Sequence, residues 1–137
     1  MSLHLLLQAM AAGRGGARSI LVVDDEPDIC EAIQSLLETF VDKAHVYSAA
    51  SGPQGLKVLQ NQAIDLILTD YRMPGMNGVE FLQRVSQQNP GIPHIIVTAF
   101  DRELVRELGA SASHERIVQK PFEPEALIGL VQTALAG

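Results

Sequence analysis

Residues 20–25 read Ile20-Leu21-Val22-Val23-Asp24-Asp25, and the rest of the chain falls into place around them. Four consecutive apolar residues, three of them β-branched, suit a strand covered on both faces, as in a parallel sheet. Three further runs have the same character: Leu66-Ile67-Leu68, Ile95-Ile96-Val97 and the shorter Ile117-Val118. His45-Val46-Tyr47 makes a fifth strand candidate. Helical apolar spacing separates the runs. Ile29, Ile33, Leu36, Leu37 and Phe40 form one stripe, with Cys30 beside it as an expected half-buried packing residue; Leu56, Val58 and Leu59 form a second. Val79, Phe81, Leu82 and Val85 form a third, opened by Asn77-Gly78 and closed near Asn89-Pro90-Gly91. Leu104, Val105 and Leu108 follow and stop at Gly109, and Leu127, Leu130, Val131 and Leu135 follow Pro124, a favoured first-turn residue. Strands alternating with helices predict right-handed βαβ units: a three-layer, doubly wound (βα)5 domain of class α/β around a five-stranded parallel sheet.

The 137 residues suit one such domain. Apolar residues make up 47% and charged residues 19%, an ordinary globular mixture. Ten Lys and Arg stand against sixteen Asp and Glu, a net charge of −6. Residues 20–137 hold eight of those cations and all sixteen acids, hence −8. A surface that acidic argues against direct nucleic-acid binding and against an anionic membrane. No apolar run is long enough for a membrane span. The single cysteine, Cys30, excludes a disulfide scaffold and suits a reducing compartment, so a cytoplasmic location is expected. Residues 1–18 read as a leader, a helix stub (Leu3, Leu7, Met10) plus a Gly-rich linker, partly foreign to the natural protein. The domain proper is expected over 19–137.

In open α/β sheets ligands bind outside the carboxyl ends of the strands. The first strand ends in Asp24-Asp25, the third in Thr69-Asp70, the fourth in Thr98-Ala99 and the fifth in Gln119-Lys120-Pro121. Three carboxylates, one hydroxyl and one ammonium therefore share an edge. Two unit charges about 4 Å apart repel by roughly 4 kcal/mol at an effective dielectric near 20, so a proton or a cation is expected among the acids. All-oxygen ligands with few carboxylates favour Mg²⁺, which works typically beside a phosphoryl group. The set has the composition of a phosphoryl cradle whose nucleophile is a carboxylate. Any one of these acids alone reads equally well as a helix cap or loop residue, as Asp28 after Pro27 does.

The blocks Ile20-Leu21-Val22-Val23-Asp24-Asp25-Glu26-Pro27, Leu68-Thr69-Asp70-Tyr71-Arg72-Met73-Pro74-Gly75-Met76-Asn77-Gly78, Val97-Thr98-Ala99 and Lys120-Pro121-Phe122 resemble the receiver domain of two-component response regulators, of the chemotaxis-regulator type, from about Ser19 to Ala136. The resemblance implies a flavodoxin-like sheet in the order 2-1-3-4-5 and a cis Lys120–Pro121 bond. It makes Asp70 the phosphoacceptor, with Mg²⁺ held by Asp25 directly, Asp24 through water, Asp70 and the main-chain carbonyl of Arg72. Thr98 and Lys120 would contact the phosphoryl group. The donor would be a phosphohistidine on a sensor histidine kinase or histidine phosphotransfer protein. The output would be a shape change on the face of the fourth helix, fifth strand and fifth helix, read by an output domain or partner. The only chemistry expected is self-catalysed transfer to Asp70, without turnover of a small substrate.

Several positions depart from the family. Ile117 stands where many receivers carry a Tyr or Phe that swings with the threonine, so a switch through Thr98 and Ile117 should depend less on a rotating ring. Residues 110–119 lack the acidic pair of the DNA-binding subfamily, and the fourth helix is expected to be short, ending by Leu108. Arg72 and Phe100, two residues after Asp70 and Thr98, are large and predict slow self-hydrolysis. A pseudo-receiver would normally have lost one of the five site residues. A dehalogenase-type hydrolase would need a D-x-D nucleophile where residues 24–27 read Asp-Asp-Glu-Pro, and a P-loop is absent. With the last helix reaching Gly137, a stand-alone regulator, the receiver of a hybrid kinase and a receiver cut from a longer protein all remain open, and residues 11–18 favour an upstream attachment. The pathway, cognate kinase and oligomeric state are not written in the sequence.

Overall fold

The computed structural model describes Leu3, residues 16–99 and residues 101–136. Apart from Leu3, the expected leader helix lies outside the described residues, as does Phe100. The elements run β1 (Arg18–Val23), α1 (Pro27–Phe40), β2 (Ala44–Ala49), α2 (Gly52–Asn61), β3 (Leu66–Thr69), α3 (Gly78–Gln88), β4 (His94–Thr98), α4 (Arg102–Leu108), a 3-10 turn (Gly109–His114), β5 (Ile117–Gln119) and α5 (Pro124–Ala136). All five strands are parallel and ordered β2-β1-β3-β4-β5. The expected fold class and strand order are both present, and the Lys120–Pro121 bond is cis.

The period-two alternation of β1 divides the core into its layers. Ile20 and Val22 face α1 and α5, where they pack with Ile33, Leu37, Leu127 and Val131. Leu21 and Val23 face the opposite layer, with Leu59, Phe81 and Val85. Both faces being covered explains why β1 and β3 read as unbroken apolar runs. Every residue of β3 is buried.

Two helical stripes differ from their sequence reading. In α1 the buried residues are Cys30, Ile33 and Leu37, while Phe40 is 61% exposed. Cys30 is fully inside the core, not half-buried. Cys30, Ile33, Leu37 and the C-cap Val41 recur at helical spacing on the buried face, and Phe40, the last residue of α1, lies off it. In α4 only Leu104 is buried, and Val105 is 49% exposed. Asp28 lies in the first turn of α1 but does not cap it; Glu26 holds the cap position without a side-chain bond.

The helices that flank the sheet's carboxyl edge start at firm caps. Asn77 and Glu80 form a reciprocal capping box on α3, with Glu80 N donating to Asn77 Oδ1 at 2.9 Å. Asp101 caps α4 by accepting from Glu103 N at 2.9 Å. As expected, α4 is short, seven residues ending at Leu108. Gly109 turns the chain there with φ +56°, a conformation that favours glycine.

Candidate functional site

Parallel register brings the strand ends together. Val23 lies opposite Thr69, and Asp70 N donates to Val23 O at 2.9 Å, which places Asp24 and Asp70 side by side. Lys120 N donates to Thr98 O at 2.9 Å, which fixes the fifth strand's end against the fourth. Asp24, Asp25 and Asp70 each offer a carboxylate oxygen within 4.8 Å of the others. Asp24 and Asp70 are buried, and Asp25 is exposed. Asp70 Oδ1 accepts from Tyr71 N at 2.8 Å, so the carboxylate is held by its own backbone turn.

Lys120 Nζ lies between the two buried acids, 2.7 Å from Asp24 Oδ2 and 3.4 Å from Asp70 Oδ2. It also approaches Glu26 Oε1 at 3.9 Å. The sequence reading paired Lys120 with the group on Asp70; its nearer partner here is Asp24. Burial would lower the lysine's pKa, but the hydrogen bond to Asp24 and the charges of Asp70 and Asp24 outweigh it and raise the pKa. Burial raises the pKa of Asp24 despite the opposing bond to Lys120, and the charge of Asp70 adds to the rise. Three carboxylates against one ammonium leave the cluster short of positive charge. The donor set is all oxygen, which fits a small hard divalent cation such as Mg²⁺.

Thr98 ends β4 and is only 3% exposed, yet its hydroxyl has no hydrogen-bond partner among the described residues while it lines the cleft beside Asp70 and Lys120. A buried hydroxyl left unpaired is costly, and an incoming oxygen anion would satisfy it. The cleft has a volume of 780 Å³ and is lined by Asp25, Glu26 and Asp70 together with Arg72, Arg102 and Arg106. Ile117, the other proposed switch residue, is 37% exposed. It flanks a small cavity of 70 Å³ shared with Thr98, Leu104 and Val105.

Sequence reading missed how the β3–α3 segment grips α4. The guanidinium of Arg72 donates to both oxygens of Asp101, through Nε and through Nη2 at 3.1 Å, and lies 3.0 Å from Glu103 Oε2. That pairing holds the Asp101 carboxyl below its usual pKa. The hydroxyl of Tyr71 donates to Glu107 Oε2 at 2.6 Å, and Asn77 Nδ2 donates to the same oxygen at 3.4 Å. Both partners lie some thirty residues away in sequence, and no local spacing announces them.

The fold and site define the class as a doubly wound α/β domain with clustered acids, an ammonium and a buried hydroxyl at the carboxyl edge of its sheet. Comparison narrows the class: a match to the response regulator receiver domain family spans residues 20–132. The chain belongs to that family, whose members act in two-component signalling with sensor kinases and output domains, and are signalling domains more than turnover enzymes. It is 32% identical over 118 residues to the alkaline phosphatase synthesis transcriptional regulatory protein PhoP of Bacillus subtilis, covering 86% of this chain and 48% of that protein. It is 35% identical over 115 residues to an uncharacterized 14.6 kDa protein of Leptolyngbya boryana, covering 82% and 86%. Among solved structures, Vibrio cholerae chemotaxis protein CheY4 superposes with a TM-score of 0.77 at 29% identity, covering 88% of this chain and 100% of that one. Thermotoga maritima TrrA, solved in complex with Mg²⁺ and BeF, gives 0.74 at 29%, covering 86% and 99%. The chain spans about half the length of several curated relatives it matches. No helix among the described residues is long and apolar enough to cross a membrane.

Proposed function

We propose that this domain accepts a phosphoryl group on Asp70 and converts it into a change of shape on the α4–β5–α5 face. The observation that carries the reading is the convergence at one cleft of three carboxylates within 4.8 Å, a lysine bridging two of them, and a buried hydroxyl without a partner. Asp25, Asp24 through water, Asp70 and the Arg72 carbonyl would hold Mg²⁺. When bound, the ion neutralises phosphoryl oxygens during transfer.

The residues of the chain divide the work. Asp70, fixed by Tyr71 N and by its buried strand, presents a carboxylate oxygen to phosphorus. The bond from phosphorus to the donor imidazole breaks as the new O–P bond forms, and the imidazole leaves with the bonding pair. Lys120 turns its charge from the acids to the phosphoryl oxygens, and the Thr98 hydroxyl donates to one of them. Drawing Thr98 inward alters the small cavity beside Ile117 and Val105, which transmits the change without an aromatic ring. The donor is a phosphohistidine on a sensor histidine kinase or histidine phosphotransfer protein, and the reader is an output domain or partner protein, not nucleic acid. Residues 1–18 serve as a linker to the receiver domain over 19–137, which works in the cytoplasm.

The test is intact mass after incubation with acetyl phosphate and Mg²⁺, with Asp70→Asn in parallel. A phosphate-sized gain that disappears in the variant and with chelator is expected. No gain, with beryllofluoride also leaving the spectrum unchanged, would assign the domain to the non-phosphorylated pseudo-receivers.

A further inference from the structure

Arg102 and Arg106 stand one helical turn apart on α4, and both line the cleft that holds Asp70. The acids at and within α4 are all engaged elsewhere. Asp101 and Glu103 bind Arg72, and Glu107 binds Tyr71 and Asn77. The two arginines are left exposed, with no carboxylate within 4.0 Å among the described residues. Like charges four residues apart on a helix repel, so the pair weakens α4 unless an anion joins it. Four of the chain's ten Lys and Arg line this one cleft beside five acids, of which Asp101 and Glu103 already bind Arg72 and Asp70 lies beside Lys120. The cleft's 780 Å³ also exceeds what a phosphoryl group and a few waters, each about 30 Å³, would fill.

We propose that Arg102 and Arg106 form an anion subsite for a carboxylate side chain that the phosphodonor protein carries next to its phosphohistidine. The proposal rests on the phosphoacceptor reading of Asp70. The phosphoryl group goes to the strand ends, and a second anion on the donor goes to α4. Two anchors fix the donor's orientation as one could not. Guanidinium forks suit a carboxylate. The acidity of the remaining surface disfavours a long polyanion, so a single acidic side chain is the fitting occupant.

Two short peptides phosphorylated on histidine by phosphoramidate, identical except for Glu or Gln beside the histidine, test this. Phosphoryl transfer to the full chain is followed by intact mass with Mg²⁺ at low salt. The wild type should accept from the Glu peptide about two- to fivefold faster, the scale of exposed ion pairs. The preference should shrink with added salt, disappear in R102Q/R106Q, and survive in part in R102K/R106K. Equal rates from both peptides in the wild type, or an undiminished Glu preference in R102Q/R106Q, would overturn the subsite alone. A wild type that takes no phosphoryl group from acetyl phosphate or from either peptide would overturn the phosphoacceptor reading beneath it.

Discussion

The hydroxyl of Tyr71 lies 2.6 Å from Glu107 Oε2, so the residue next to Asp70 is bonded directly to α4. Tyr71 is 3% exposed and packs with Val79, Ile96 and Leu104. A displacement of the backbone at residues 70–71 therefore moves α4 through a hydrogen bond and a packed ring together. Burial, then the bond to Glu107, then the charges of Glu107, Glu103 and Asp101 all push the phenol well above its ordinary pKa.

That shift has a consequence at alkaline pH. In the unfolded chain Tyr71 ionises near its ordinary value of about 10, while in the folded chain it keeps its proton. Its contribution to stability is present in full below about pH 10 and is lost as pH rises toward the folded-state pKa. The urea midpoint of the wild type should fall more steeply above about pH 10 than that of Tyr71→Phe, since the two proteins differ only in this phenol. Parallel curves would show that the phenol is not held neutral by its surroundings.

Gly78 opens α3 beneath the phosphoacceptor candidate. A Cβ built there would lie 2.2 Å from the carbonyl oxygen of Asp70 and 3.0 Å from Tyr71 Cα, both backbone atoms that cannot rotate aside. Gly78 N also donates to Tyr71 O at 2.8 Å. Gly78→Ala should cost about 2–4 kcal/mol in urea unfolding and slow phosphoryl uptake, because relief of the clash must move Asp70 itself. An unchanged midpoint would show that the approach is looser than these distances.

Under the proposed function a divalent cation would sit among Asp24, Asp25 and Asp70, beside the Asp24 carboxylate that Lys120 Nζ reaches at 2.7 Å, so the ammonium and the cation would compete for that carboxylate. Replacing the lysine by methionine leaves Asp24 and Asp70 facing one another without the ammonium. Lys120→Met should lose about 1–3 kcal/mol without metal, less than a fully buried pair because the ammonium is in reach of solvent. It should also gain more stability from millimolar Mg²⁺ than the wild type does. Urea midpoints with Mg²⁺ and with chelator measure both, and equal Mg²⁺ gains in the two proteins would show that Lys120 does not obstruct the metal position.

The fold was legible because unbroken apolar runs have few uses outside a sheet covered on both faces, and Ile20–Val23 states that pattern within four residues. Asp24, Asp25, Asp70, Thr98 and Lys120 were legible because each stands at or just past the end of a strand, and parallel register brings strand ends together. Helix faces were less so. Phe40 continues the spacing of Ile33 and Leu37, but Val41 fits the same face equally well, and in the folded chain Val41 is buried while Phe40 is exposed. Gly78 was legible as a turn residue, whereas its constraint is the carbonyl of Asp70, a contact only the folded chain makes. The bonds of Arg72 and Tyr71 to α4 were out of reach because they join exposed or amphipathic side chains across tertiary space.

Arg72 carries the last prediction. It was expected to slow self-hydrolysis by its size, and its position gives that expectation a mechanism. Bound to Asp101 and Glu103, it spans from the loop after Asp70 to the head of α4, at the edge of the cleft that water must enter. Arg72→Ala removes the span as well as the bulk. Asp101→Ala releases the guanidinium from its main partner, leaves the side chain in place, and also deletes the α4 cap. If the span excludes water, both variants should lose the phosphoryl group a few-fold faster than the wild type once the donor is removed. If bulk alone matters, only Arg72→Ala should. Intact mass against time after desalting distinguishes the two, and a half-life unchanged in Arg72→Ala would remove Arg72 from the account of phosphoryl lifetime altogether.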